Sequence, residues 1–318
     1  MLIATSSCLL GNKVRYDGTS KNNRFILNEL SDYCDFEPIC PEDRAFGTPR
    51  PTIQVNLGSD KENPVYRVVV NKTSEDVTAP LNQAIEAEIE RLKQLPIAGI
   101  ILKSRSPSCG LGSCRYYRKG AVVERGDGLF AKAFKAAFPF MPMEEEARLN
   151  DAWLRENFVM QIFAYQDMAT LVSRIESHGD LVDFHTDYKY LLQAKNEQAY
   201  RDLGRLVANH ENHTVETVIN DYRALFCQAI AHKSSNKRTI NVLQHMLGFF
   251  KQELETDDKA HILSLIEQYR EKKIPLVTIT ELIRLFARKY DKRFLLRQKF
   301  LQPYPESLAL RSNILAGK

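Results

Sequence analysis

Ile97-Ala98-Gly99-Ile100-Ile101-Leu102-Lys103-Ser104-Arg105-Ser106-Pro107-Ser108-Cys109-Gly110 carries the pattern that decides the fold. Its nearly continuous apolar start predicts a strand buried on both faces, the type found inside parallel sheets. Working outward, Leu2–Thr5, Phe36–Ile39 and Tyr66–Asn71 read as further strands. Between them, Thr78–Gln94 places Ile85, Ile89 and Leu92 on one helical face, and Asn22–Tyr33 does so with Phe25, Ile26 and Leu30. Gly126-Asp127-Gly128 opens another helical run through Phe134. Strands alternating with helices predict an α/β domain, a mostly parallel sheet flanked by helices.

From Glu144 onward the strand signal stops. Phe158–Ser173 and Tyr188–Val207 read as helices, and Ile240, Leu243, Leu247 and Phe250 recur at helical spacing. Thr278-Ile279-Thr280-Glu281 has capping-box spacing after Pro275. An all-α second domain is therefore expected, with the break where Pro139 and Pro142 interrupt the pattern: residues 1–143 and 144–318.

Composition agrees with two globular domains. The chain has 318 residues, 44% hydrophobic and 26% charged, with 14 Gly and 13 Pro, which excludes collagen-like, low-complexity and globally disordered classes. No apolar run approaches the ~18 residues of a membrane span, and the first residues lack a basic region followed by an apolar stretch. A cytoplasmic protein with no membrane partner is expected. Its six cysteines are too scattered for a disulfide scaffold and read as thiols or metal ligands.

Three of them share a context. Cys8, Cys40 and Cys109 each follow a predicted strand, and the C-terminal strand ends of a parallel sheet share one rim. Thiolates converging there could hold an iron–sulfur cluster or zinc; three buried packing thiols are the alternative, since the spacing matches neither ferredoxin runs nor paired zinc motifs. Cys34 and Cys227 read as packing residues, and Cys114 as a further candidate ligand whose neighbours lead away from the rim. Glu42, two residues past Cys40, and Ser106, three before Cys109, are placed to act as an acid/base and a positioning group. The alternatives are a loop-capping glutamate and a serine that initiates the Ser106-Pro107 turn.

These blocks together resemble a family. Ser7-Cys8-Leu9-Leu10-Gly11 with Arg15-Tyr16-Asp17-Gly18, Cys40-Pro41-Glu42 with Thr48-Pro49-Arg50, Lys103-x-x-Ser106-Pro107-Ser108-Cys109-Gly110, and Gly126-Asp127-Gly128 are similar, in order, to the thiouracil desulfidase domain. Phe184–Leu191, Leu203–Asn209, Asn241–His245 and Pro303-Tyr304-Pro305 resemble the helical domain of the YbgA type. The whole is similar to the long, two-domain desulfidases that convert 4-thiouridine in tRNA to uridine. The resemblance implies that Cys8, Cys40 and Cys109 hold a 4Fe-4S cluster with one open iron, that Glu42 activates water, and that Ser106 orients the substrate. It implies a non-redox change of C=S to C=O with release of sulfide. Val14 stands where many relatives carry a further cysteine, so that thiol is not required here.

Charge divides unevenly. Residues 1–180 carry a net −2 and 181–318 a net +6, and 270–299 hold ten basic against three acidic residues. An anionic partner is one reading and a solvated helix face the other. Arg284, Arg288, Lys289, Arg293 and Arg297, with the shorter run Lys233, Lys237 and Arg238, are the candidate tRNA-binding residues. Phe286, Tyr290 and Phe294 among them read as core, and His185 and His245 as structural or RNA-facing. Two other functions remain: desulfuration of free thiouracil or thionucleotides, and a non-catalytic iron–sulfur sensor that binds RNA.

Overall fold

The computed structural model describes residues 1–58, 60, 65–209 and 213–314. Its strands are β1 (Leu2–Ser6), β2 (Asp35–Ile39), β3 (Ile53–Leu57), β4 (Tyr66–Val70), β5 (Ile97–Leu102), β6 (Cys114–Arg118), β7 (Ala121–Gly126) and β8 (Met143–Glu145). Four helices accompany them: α1 (Arg24–Asn28), α2 (Pro41–Phe46), α3 (Thr78–Lys93) and α4 (Leu129–Ala137). Then come α5 (Ala152–Arg174), α6 (His178–Lys195), α7 (Glu197–Ala208), α8 (Val215–Ala231), α9 (Asn236–Leu247), α10 (Thr256–Arg270), α11 (Leu276–Lys289) and α12 (Arg293–Leu296). The chain divides into two compact units, Met1–Asn150 and Asp151–Lys318.

In the first unit β5 is buried at every position, as its apolar run dictates. It lies with β1 inside a parallel sheet ordered β2-β1-β5-β8. The apolar stripe of α3 (Leu81, Ile85, Ile89, Leu92) packs into one core with Phe130 and Phe134 of α4 and with Ile100 and Leu102 of β5. Burying such a stripe, at roughly 25 cal/mol per Å² of apolar surface, is what fixes these helices to the sheet.

Tyr66–Asn71 corrects the expectation of one sheet. β4 belongs to a second sheet, β4-β3-β6-β7, antiparallel at β3/β4 and β6/β7 and parallel at β3/β6. Arg67 is exposed while Val68, Val69 and Val70 are buried, so this strand is solvated at its start and buried at its end. The Asn22–Tyr33 helix is also shorter: α1 ends at Asn28, and Leu30–Asp32 is a 3-10 turn.

The unit boundary lies at 150/151, seven residues past the expected 143/144. Met143–Glu145 pairs with β5 as the fourth parallel strand; three residues are too short to show a strand period, so the prolines were the louder signal. In the second unit, Tyr188–Val207 is interrupted by Asn196, which closes α6 and whose side chain caps α7 by accepting from the Ala199 N–H at 3.1 Å. The Thr278/Glu281 capping box does not form, because α11 has already begun at Leu276, directly after Pro275. The capping box that does form is Ser177 with Asp180, at the start of α6. No helix among the described residues is long and apolar enough to cross a membrane.

Candidate active site

Strand register brings the three cysteines together. β1 and β2 run in step, Ser6 opposite Ile39, so both chains leave the sheet at one edge, just before Cys8 and Cys40. β5 runs beside β1, Thr5 opposite Ile101, and delivers the Lys103–Gly110 loop to the same edge. Cys8 then sits in the 3-10 turn Ser7–Leu10, which Gly11 ends at φ +96°; its carbonyl accepts the Lys21 N–H at 2.8 Å. Cys40 directly precedes α2, whose first turn carries Pro41, Glu42 and Asp43.

The Cys109 loop is held from two sides. The N-terminus of α4 donates to its carbonyls, Gly128 N–H to Gly110 at 2.7 Å, Leu129 N–H to Pro107 at 3.1 Å and Ala131 N–H to Ser108 at 3.2 Å. Helix donors otherwise left open are satisfied in this way. A Cβ at Gly128 would collide with the Ser108 carbonyl, which is why the Gly126-Asp127-Gly128 block ends in glycine. From the other side, the end of β8 and the residue after it supply carboxylates. Glu145 accepts the Leu111 N–H at 2.6 Å and the Ser113 hydroxyl, and Glu146 accepts the Ser104 N–H at 2.6 Å and pairs with Lys103. Burial pushes the Glu145 carboxyl above its ordinary value, while its donors pull it down.

Cys8, Cys40 and Cys109 line one cavity of about 400 Å³ with Glu42, Ser106, Ser108 and Arg50. Burial pushes the thiols up, Cys8 to about 11 and Cys40 and Cys109 to about 12, and each also feels another of the three. Thiolate is the ligating form, so loading a metal here releases protons. Among the described residues no three His, Cys, Asp or Glu side chains are placed to hold a single metal ion.

Glu42 is held at both oxygens. Oε1 accepts the Ser108 hydroxyl at 2.6 Å and the Ser106 hydroxyl at 3.0 Å, and Oε2 accepts from Arg50 Nη2 at 3.2 Å. Arg50 is 9% exposed, and its Nη1 donates to the Val14 and Gly47 carbonyls at 2.9 and 3.1 Å and to Thr48 Oγ1 at 3.1 Å. Its own N–H donates to the Tyr16 carbonyl at 3.0 Å. Arg50 therefore ties the Val14–Tyr16 loop to Glu42, which gives the Arg-Tyr-Asp-Gly and Thr-Pro-Arg blocks a common purpose. The Ser106 oxygen accepts the N–H groups of Ser108 and Cys109 at 3.2 and 3.0 Å, so its remaining capacity is to donate its proton. Ser108 and Arg50 carried no role in the sequence reading; both stand inside the quoted motifs, but only the fold shows that they meet Glu42.

The remaining candidates sit elsewhere. Cys114 begins β6, buried, with its sulfur 3.9 Å from the Pro107 carbonyl, and is not part of the cavity wall. Cys34 and Cys227 are buried packing thiols. Among the basic residues, Lys233, Lys237, Arg288 and Lys289 are exposed. Arg293 is exposed and pairs with Asp291 at 3.2 Å. Arg297 binds Asp183 and Asp187 at 3.0 and 2.7 Å, and Arg238 donates to the Ala194 and Lys233 carbonyls. Arg284 departs from the expected surface: it is 9% exposed and clamped between Glu281 and Glu306. Phe286 and Tyr290 pack with Phe250 as core. His185 stacks on Tyr200 and lies 3.1 Å from the Tyr222 hydroxyl, whereas His245 is exposed.

Comparison with known proteins follows the two units. Residues 189–305 match a family described as a protein of unknown function, DUF1722. The uncharacterized protein YbgA of Escherichia coli (strain K12) is 26% identical over 157 residues, 49% of this chain and 93% of its own. The uncharacterized protein YbbK of Bacillus subtilis (strain 168) is 32% identical over 153 residues, 47% of this chain and 99% of its own. The solved structure of the 4Fe-4S-dependent thiouracil desulfidase TudS is 30% identical, with a TM-score of 0.36, over 46% of this chain and 92% of its own. Residues 3–146 match the family model described as 2-thiouracil desulfurase. Over that first half, the chain belongs to the 2-thiouracil desulfurase family.

Proposed function

We propose that the protein is a 4Fe-4S-dependent, non-redox desulfidase that converts 4-thiouridine in tRNA to uridine and releases sulfide. The observation that carries this reading is the meeting of Cys8, Cys40 and Cys109 with Glu42 in one cavity. Three thiols without a histidine are the soft donor set of iron–sulfur chemistry. When bound through three thiolates, such a cluster supplies one open iron, a soft Lewis acid for the departing sulfur.

The reaction balances without electrons: the oxygen of water bonds to the ring carbon, the carbon–sulfur bond breaks, and both protons of water end on sulfide. Glu42 takes the proton from the attacking water, its plane fixed by Arg50 and the two serine hydroxyls. Ser106, with its oxygen committed to two N–H groups and its one proton resting on Glu42 Oε1, passes that hydrogen bond to a ring heteroatom when the substrate enters, leaving Ser108 and Arg50 to hold Glu42. Ser108 keeps the Oε1 edge of Glu42 aligned. Exposed Lys237, Arg288, Lys289 and Arg293 support a polyanionic substrate.

A second reading takes free thiouracil or a thionucleotide as substrate. It is favoured by the family description and by a cavity of about 400 Å³, which suits a single small molecule. Anaerobic sulfide release from thiolated tRNA, free 4-thiouridine and 2-thiouracil separates the two. A higher kcat/KM on tRNA is expected, and a preference for the free base would replace the tRNA reading. Full sulfide release by Glu42→Gln would remove Glu42 from the chemistry.

A further inference from the structure

A groove on the second sheet shares one wall with the thiol cavity. Arg105, held at φ +61° with its N–H donating to Ser113 Oγ at 2.6 Å, lines the cavity together with Pro107. The same two residues form a wall of a neighbouring groove of about 250 Å³, whose other side is Gln54, Asn71, Arg115 and Tyr117. Strand alternation sets what this groove presents. On β6, Cys114 and Tyr116 are buried, while Arg115 is exposed and Tyr117 part-exposed. β3 adds Asn56 opposite Tyr117, with the Gln54 amide donating to Asn56 Oδ1 at 2.9 Å. β7 adds Arg125 directly opposite Arg115.

Two arginines facing each other across a strand pair repel. Among the described residues no carboxylate forms an ion pair with Arg105, Arg115 or Arg125. Glu124, the adjacent acidic residue, sits opposite Tyr116 and so turns to the other face. A cationic strand pair with a tyrosine and two amides beside it matches a nucleotide in charge and in shape: guanidinium groups for phosphate, a phenol ring for stacking, amides for a base edge.

Resting on the polynucleotide reading above, we propose that this groove seats the nucleotide next to the thiolated one. Arg105 and Arg115 take its phosphate and Tyr117 stacks on its base, while the target base occupies the thiol cavity. A target base drawn out of its stack leaves its neighbour splayed, and the groove is the place that receives it. The α/β unit then reads flanking sequence and backbone by itself.

The test uses the iron-loaded full chain and two substrates, free 4-thiouridine and a trinucleotide with 4-thiouridine at its centre. The wild-type protein is expected to favour the trinucleotide in kcat/KM. Arg115→Ala and Tyr117→Ala are each expected to cut trinucleotide kcat/KM about tenfold, as for loss of one stacked base or phosphate contact, with free 4-thiouridine turnover and iron content unchanged. Arg125→Ala serves as a second cationic variant and is expected to flatten the salt dependence of trinucleotide KM. If the wild type shows no preference for the trinucleotide, the polynucleotide reading itself fails. A wild-type preference that all three variants retain would overturn the groove alone. Equal losses on both substrates would overturn it too, because the substitutions would then act through the fold.

Discussion

Glu42 receives three donors, two hydroxyls and a guanidinium, and that arrangement sets both its orientation and the consequences of changing it. Glu42→Gln replaces one accepting oxygen with an NH₂ group that faces its donors, so kcat is expected to fall by roughly 10²–10⁴ with iron content retained. Cys8→Ser, Cys40→Ser and Cys109→Ser are expected to lose iron and the visible thiolate–iron absorbance, whereas Cys227→Ser keeps both. Iron and absorbance titrations after anaerobic reconstitution check this, and full iron retention in all three would remove the ligand assignment. The thiols and Glu42 were legible because each lies in the segment that follows a readable strand, Cys8 after β1, Cys40 and Glu42 after β2 and Cys109 after β5. Arg50 and Ser108 were not, since their importance arises from contacts eight and 66 residues away in sequence.

At the scale of elements, the Cys109 loop is positioned by the start of α4 and the carboxylates at the end of β8. Gly128→Ala is expected to push the Ser108 carbonyl away and to lower both iron occupancy and Tm, while Gly204→Ala, within α7 and meeting only His185 at ordinary contact distance, lowers neither; an unchanged Tm and iron content at Gly128→Ala would show that the loop stands without the helix. In the helical unit, burial lowers the His185 imidazole from 6.5 to about 4. Between those values the unfolded chain takes a proton that the folded one refuses. The stability tied to a neutral His185 is therefore complete above pH 6.5 and is lost as pH falls toward 4, by up to about 3 kcal/mol at 1.36 kcal/mol per unit. Trp153, the single tryptophan, lies on α5 and reports unfolding of this unit. His185→Phe should make its denaturation midpoint less sensitive to pH over that window, and an unchanged slope would contradict the assignment. Long periodic helices were readable from their apolar faces; β8 and the Asn196 break were not, because a three-residue strand and a single capping side chain leave no period to read.

Across the whole molecule, the net +6 of residues 181–318 is partly consumed internally. Arg284 and Arg297 are held by carboxylates, while Lys237, Arg288 and Lys289 remain exposed. Charge reversal at Arg288 and Lys289 is expected to weaken tRNA binding and reduce its dependence on salt, by a slope of about one per lost phosphate contact; the same change at buried Arg284 should cost stability first. Unchanged affinity at moderate salt would place the polyanion surface elsewhere. The α/β and all-α halves were visible in the switch from alternating strands and helices to helical spacing alone. The partition of the strands into two sheets was not, because pairing partners are set by non-local packing. The most direct test of the central claim is anaerobic turnover of thiolated tRNA in ¹⁸O-labelled water by the iron-loaded protein, without any electron donor. The expected result is uridine carrying one labelled oxygen and one sulfide released per uridine formed; uridine without label, or turnover only when a reductant is added, would contradict hydrolytic desulfuration at this site.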